Sequence, residues 1–330
     1  MRHKNFTRRM LTLISLMLIV LSLLGVKQGF AEDFSIIVLP DTQYYSESYP
    51  AIFETQAQWI VNNKDALNIV HVAHVGDIVE DWDEQYQWDN ADAAMTLLED
   101  PDGVSYSVLP GNHDQPTTLY NQYFGTNRFQ GRSYYGGHYP PGSNDNNYTL
   151  FSTSGMDFIV ISLGMNPSSN VLDWADARLK EYANRRAIVV SHHLLELDAT
   201  FGTPGLATYD ALKDNPNLFL MLCGHRHGEA KRVDISNGNT IHTLLADYQE
   251  GTNGGDGWLR ILKFSPLDDR MRVETYSPTL NLYETDSDSQ FELSYDMSSS
   301  QGDPDTTGTS GDNRSGGGGG GGCFIQTLGM

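Results

Sequence analysis

The chain has 330 residues, two cysteines, and 42 acidic residues against 21 lysines and arginines, for a net charge of −21 at pH 7. That length can bury a large core without disulfides, and two thiols make no disulfide framework. A surface of this sign repels nucleic acid and anionic lipid, so a polyanion-binding role is disfavoured, and any anionic ligand must be met by a local positive centre.

Along the chain, Arg2, Lys4, Arg8 and Arg9 precede the apolar run LTLISLMLIVLSLLGV (11–26). KQGFA follows, with small Gly29 and Ala31, which is the pattern of a secretory signal peptide over 1–31 cleaved after Ala31. An uncleaved anchor is the alternative, for which the run is short. Arg8-Arg9 after Thr7 also fits twin-arginine export. The expected location is periplasmic, extracellular or cell-surface. The segment holds five bases and no acid, so its removal leaves 16 bases against 42 acids and a charge of −26.

Short apolar runs predict strands over 34–39, 69–75, 104–109, 156–163, 186–191 and 217–223. Helical spacing predicts helices over 50–64, 84–99 and 171–183, the last with Asn170 as N-cap. Such alternation means α/β. After residue 228 only strands are expected, over 229–235, 240–246, 257–264, 271–276 and 290–295. Residues 115–149, rich in Tyr, Gly, Asn and Pro, are expected to form a long loop that either caps a pocket or packs on its own aromatics. The main domain is set at 32–297. A Ser/Gly/Asp-rich flexible linker follows over 298–322, then a short apolar tail over 323–330 that begins at Cys323. The tail is similar to carboxyl-terminal sorting signals that attach exported proteins to a cell surface, and a frayed end is the plainer reading.

Six short pieces carry the candidate chemistry: Asp41-Thr42-Gln43, Gly76-Asp77, Glu80-Asp81, Gly111-Asn112-His113-Asp114, Ser191-His192-His193 and Gly224-His225-Arg226-His227. Five of them end, or just follow, an apolar strand, the edge where open α/β sheets bind ligands. Carboxylate, amide and imidazole together suit divalent Mn, Fe or Zn. Each piece alone is ordinary turn chemistry. In this order they point to one site.

The series D-x-Q, G-D, G-N-H-D, H-H and G-H-x-H resembles the calcineurin-like metallophosphoesterase superfamily, whose usual first motif is D-x-H. The resemblance runs over about residues 34–280, and DYQEGTNGGDGWLRIL (247–262) is similar to a segment of secreted bacterial members with D-x-Q. It implies a four-layer α/β/β/α sandwich of two mixed sheets flanked by helices. It also implies two divalent metal ions (Mn, Fe or Zn), with Asp41, Gln43 and His227 on the first, Asp77 bridging, and Asn112, His192 and His225 on the second. A hydroxide between the ions would be the nucleophile. His113, oriented by Asp77 or Asp114, would stabilise the transition state or protonate the leaving oxygen. The implied activity is an exported hydrolase of small phosphate mono- or diesters. The alternatives are a phosphoprotein or pyrophosphate hydrolase, or a non-catalytic surface binding module on the same scaffold.

Two departures stand out. Gln43 replaces an imidazole, so the first metal is held less tightly, or Mn or Fe is favoured over Zn, or Gln43 only hydrogen-bonds to a metal-bound water. Leu194 replaces the proline of H-H-P. His193, Arg226, Tyr134 and Tyr135 are further candidates for contact with substrate, each with a bland alternative as a pocket wall, a solvated turn residue or loop packing.

Overall fold

The computed structural model describes residues 31–99 and 103–298. The export segment up to residue 30, most of the linker and the Cys323 tail lie outside the described residues. Fourteen strands are described: β1 (Phe34–Leu39), β2 (Ile69–His74), β3 (Tyr106–Ser107), β4 (Tyr135–Tyr139), β5 (Asn146–Thr153), β6 (Met156–Leu163), β7 (Arg186–Ser191), β8 (Leu218–Cys223), β9 (Gly228–Ser236), β10 (Asn239–Asp247), β11 (Leu259–Ser265), β12 (Arg270–Ser277), β13 (Leu282–Glu284) and β14 (Phe291–Ser294). The helices are α1 (Gln43–Ser48), α2 (Pro50–Asn63), α3 (Gln85–Thr96), α4 (Thr118–Tyr123), α5 (Thr126–Phe129), α6 (Ser169–Glu181) and α7 (Thr203–Leu212). No described helix is long and apolar enough to cross a membrane.

The strands form two mixed sheets. The first runs β13-β12-β11-β1-β2-β3, with β14 also on β12; the second runs β4-β5-β6-β7-β8-β10-β9. The central neighbours are parallel: β1, β2 and β3 in the first sheet, and β6, β7, β8 and β10 in the second. Period-two alternation lets each strand serve two cores. Phe34, Ile36 and Val38 of β1 face Val160, Ile188, Val190 and Leu222 of the other sheet. Ile37 and Leu39 face outward, onto Phe53 and Ile60 of α2 and Trp88 of α3. Across the molecule, Ile159, Ile161 and Val189 pack on Leu172 and Leu179 of α6 and Leu212 of α7. The result is helix, sheet, sheet, helix. Burying each of these side chains contributes about 1.5–3 kcal/mol, which fixes the two sheets against one another.

Local sequence explains the outer layers. Pro50 opens α2, and Phe53, Gln56, Ala57 and Ile60 are buried at helical spacing. Ser168 rather than Asn170 precedes α6 as its N-cap, and its side chain makes no capping bond. β3 is shorter than the apolar run 104–109 suggested. The larger correction concerns 115–149. This stretch is not a free loop: it holds α4, α5, β4 and the start of β5. Tyr120, Phe124 and Phe129 are fully buried in the core that contains Trp88.

Candidate metal centre

The parallel strands of both sheets end at one edge. Asp41 follows β1, Asp77 follows β2, Asn112 and His113 follow β3, His192 follows β7, His225 follows β8, and Asp247 ends β10. Hydrogen bonds tie these ends together within and between the sheets. The Thr42 amide donates to the Asp77 carbonyl at 3.0 Å, and the His225 amide donates to Asp41 Oδ2 at 3.0 Å. Two glycines allow the close approach. A Cβ on Gly111 would lie 2.0 Å from Asp77 Oδ1, and one on Gly224 would lie 1.9 Å from Asp41 Oδ1. Asp77 and His225 both adopt left-handed backbone, at φ 50° and 73°. Such residues persist only where their surroundings over-determine them.

One half of the site is fully assembled. His192 Nδ1 lies 3.0 Å from the Val75 carbonyl, which can only accept, so Nδ1 carries the proton and Nε2 offers its lone pair. Nε2 stands 3.1 Å from Asp77 Oδ2, 3.1 Å from Asn112 Oδ1 and 3.2 Å from His225 Nδ1. One donor atom each from Asp77, His192 and His225 lies within 4.8 Å of the others. Lone pairs crowded in this way suit a divalent cation. The pair is also mutually polarised: burial disfavours the charge on each partner, yet the contact with Asp77 holds His192 above its ordinary value and His192 holds Asp77 below its own. Burial, then the neighbouring His192 and His193, pushes His225 down to about 3.

The other half is looser. Asp41 Oδ1 and Gln43 Oε1 are buried with no hydrogen-bond donor. Gln43 Nε2 donates to Glu80 Oε2 at 2.5 Å, and a carboxylate can only accept, so the amide oxygen is the end left unpartnered. This orientation suits Gln43 as an oxygen donor. His227 is exposed. Its Nδ1 lies 3.2 Å from Glu250 Oε1, and its Nε2 faces Gln249 Nε2 at 2.9 Å. Asp41 and His227 stand outside the tight trio.

Several candidates are engaged in ways the sequence did not indicate. Asp114 does not orient His113; its carboxylate accepts the amides of Ile78, Val79 and Gly111, clamping two loops. Burial, then Asp77, pushes it up to about 7. Asp77 accepts only the backbone amide of His113, at 2.9 Å. The His113 ring is held by Glu80, with Nδ1 2.8 Å from its carbonyl and 3.3 Å from its carboxylate. His193 and Arg226 are both tied to Glu196, at 3.0 Å and 2.6 Å. Tyr134 and Tyr135 are not at this edge. Tyr134 lines a cavity at the opposite ends of β2 and β3, beside Ile69 and Ser105, and Tyr135 stacks on Phe129 and donates to Asn144.

Asp247 and Gln249 were missed. Asp247 is 1 % exposed and leaves Oδ2 without a donor, and Gln249 leaves Oε1 so. Burial, then Asp247 and Asp77, raises the Asp41 carboxyl well above its usual range, and Asp247 is pushed up to about 6, chiefly by burial. The signal was present: Asp247 ends an apolar strand, as Asp41 follows one. Arg226 is the one lysine or arginine in these loops, and Glu196 occupies it. Buried carboxylates with orphan oxygens and no protein cation beside them are the environment that a divalent metal stabilises.

A family model described as calcineurin-like phosphoesterase matches residues 34–229. The chain is 37 % identical over 283 residues to the uncharacterized protein YvnB of Bacillus subtilis, covering 80 % of this chain and 22 % of that one. It thus spans about a fifth of that relative's length. Among solved structures, a dimetal phosphatase from Danio rerio superposes with a TM-score of 0.51 at 15 % identity, over 79 % of this chain and 99 % of the other. A purple acid phosphatase from yellow lupin seeds gives 0.54 at 14 %, over 81 % and 54 %. At such identities the likeness is one of fold. The motif order, the match over 34–229 and the shared sandwich agree: the chain belongs to the calcineurin-like phosphoesterases.

Proposed function

We propose that the chain hydrolyses phosphate mono- or diesters with two divalent metal ions, outside the cytoplasm. The observation that carries this reading is the convergence of Asp77 Oδ2, Asn112 Oδ1 and His225 Nδ1 on His192 Nε2, beside the orphan oxygens of Asp41 and Gln43. Asp77, Asn112, His192 and His225 would hold one ion; Asp41, Gln43 and His227 would hold the other, with Asp77 shared. Bound there, the ions supply Lewis acidity towards phosphate oxygens and activate water near neutral pH.

The chain's own groups then do the positioning. His113 Nδ1–H donates a hydrogen bond to the Glu80 carbonyl, so Nε2 can donate to a leaving oxygen only from the imidazolium. The Glu80 carboxylate lies 3.3 Å from the same Nδ1 and helps hold the ring in place. Glu80 also turns Gln43, so one residue sets both the acid and a metal donor. Asp114 keeps the loops of Asp77 and Asn112 in register. Export rests on the basic, apolar pattern of residues 1–31.

The test is turnover of an aryl phosphodiester and an aryl phosphomonoester with added Mn²⁺, Fe²⁺ or Zn²⁺. Metal-dependent release of the phenol is expected. No hydrolysis of either ester with any of the three would leave the non-catalytic binding module as the better account.

A further inference from the structure

Strand β10 ends in Asp247-Tyr248-Gln249, which repeats the spacing of Asp41-Thr42-Gln43 after β1. The two motifs come from different sheets and arrive at the same edge. β10 runs parallel to β8 with Leu245 beside Cys223, each two residues before Asp247 and His225 respectively. On its other side Asp247 pairs with Gly228, the residue after His227. Asp247 therefore continues the row of neighbouring strand ends, β7 then β8, that brings His192 and His225 to the centre. It is near enough that its charge acts on Asp41, and that His227, His192 and Asp77 act on it.

Burial and an unused oxygen set Asp247 apart from the acidic residues of the surface. The residue is 1 % exposed. Its Oδ1 accepts the Gln249 amide at 3.0 Å, which fixes the carboxylate, while Oδ2 has no donor. Arg226, the lysine or arginine of these loops, is taken by Glu196. Asp41 Oδ1 and Gln43 Oε1 are buried without a donor in the same way. An anionic oxygen buried with neither donor nor counter-charge is costly. Orphan oxygens converging from two sheets are relieved together by one cation among them. The alternative within the chain is a proton shared between Asp41 and Asp247.

We propose that Asp247 Oδ2 is a further ligand of the ion held by Asp41 and Gln43, so that this half of the centre selects harder ions than the half beside His192. This deepens the two-metal reading above and rests on it. Asp41, Gln43, Asp77 and Asp247 present oxygen alone, and His227 adds a single imidazole. The other half sets two imidazoles, His192 and His225, beside the oxygens of Asp77 and Asn112. Carboxylate and carbonyl oxygen suit Mn²⁺ and Mg²⁺, whereas imidazole suits Zn²⁺. The carboxylate of Asp247 also makes up for the weaker donor that Gln43 offers in place of an imidazole.

The experiment titrates metal-stripped protein with Mn²⁺ and with Zn²⁺ by calorimetry. The wild type should take two ions in two steps, and its preference for Zn²⁺ over Mn²⁺ should be about tenfold smaller, or less still, at the weaker step. Asp247→Asn keeps an oxygen for the Gln249 amide. It should weaken the weaker Mn²⁺ step by about 100-fold or more, the upper end of what losing a ligand's hydrogen-bonding partner costs, with the tighter step unchanged. Asp247→Cys reads contact directly: with Co²⁺ it should develop a thiolate-to-metal absorption band, absent from the wild type, that grows in with one of the two ions. A carboxylate that only braces the loop, or shares a proton with Asp41, gives no band and leaves the weaker step in place. An unchanged weaker step in Asp247→Asn, no band in Asp247→Cys, or equal preferences at the two steps of the wild type each overturns the proposal. Should circular dichroism show that the variants do not fold, the wild-type preferences decide. Fewer than two ions on the wild type sinks the two-metal reading and the proposal with it; two ions without these effects sinks the proposal alone.

Discussion

The two halves of the candidate metal centre differ in what holds them. The half built on Asp77, His192 and His225 is fixed by backbone: a carbonyl orients His192, and the packed ends of β2, β7 and β8 leave its ligands little freedom. The half built on Asp41, Gln43 and His227 relies on side chains of loops, with Gln43 turned by Glu80 and His227 exposed beside Gln249 and Glu250. A site of this kind should bind one ion tightly and a second more weakly.

Substitutions can break that asymmetry. The largest effect belongs to Asp77→Asn, which weakens the carboxylate that both halves share. Turnover should fall to background and both ions should be lost, as read by elemental analysis; retention of one full equivalent would show that Asp77 serves one half alone. His113→Ala should lower kcat by roughly 10²–10⁴ with metal content intact, as expected for a lost general acid. Full activity in that variant would remove His113 from the chemistry. Glu80→Gln should weaken the second ion roughly 10–100-fold, because it disturbs the partner that turns Gln43, while the ion beside His192 stays. Gln43→His should tighten Zn²⁺ in the looser half and leave the other half alone; unchanged affinity there would mean that Gln43 does not coordinate.

A smaller test lies away from the metals. His71 is buried between the hydroxyls of Ser105 and Ser107, and burial lowers its pKa from 6.5 to about 3. Between those values the unfolded chain binds a proton that the folded chain refuses, so stability rises with pH and falls on acidification. Going from pH 7 to pH 5 should remove about 2 kcal/mol through this residue. Denaturant titrations of the wild type and His71→Asn at the two pH values would read it, and equal losses in both would contradict the assignment.

Much of the fold and of the candidate site was legible in the sequence because polar groups gathered at strand ends leave a pattern: an apolar run, then a short polar motif. That pattern pointed to Asp41, Asp77, Asn112, His192 and His225, and to the layered fold beneath them. It failed where the information is three-dimensional. The aromatics of 115–149 read as loop because Gly, Asn and Pro separate them, yet Tyr120 and Phe124 complete the core around Trp88. Asp247 was passed over although Gln249 follows it at the same spacing as Gln43 follows Asp41, and although its strand ends at the same edge. The occupation of Arg226 and His193 by Glu196, like the hold of Glu80 on Gln43 and His113, depends on contacts between loops that one-dimensional spacing does not encode.

The central claim is that these side chains hold metal in two unequal halves. Elemental analysis of protein purified without chelator, followed by stepwise removal with increasing chelator, tests it most directly. The account predicts about two divalent ions per chain, released in two steps, the ion of the Asp41, Gln43 and His227 half before the one beside His192. A metal-free chain that still hydrolyses phosphate esters would contradict it.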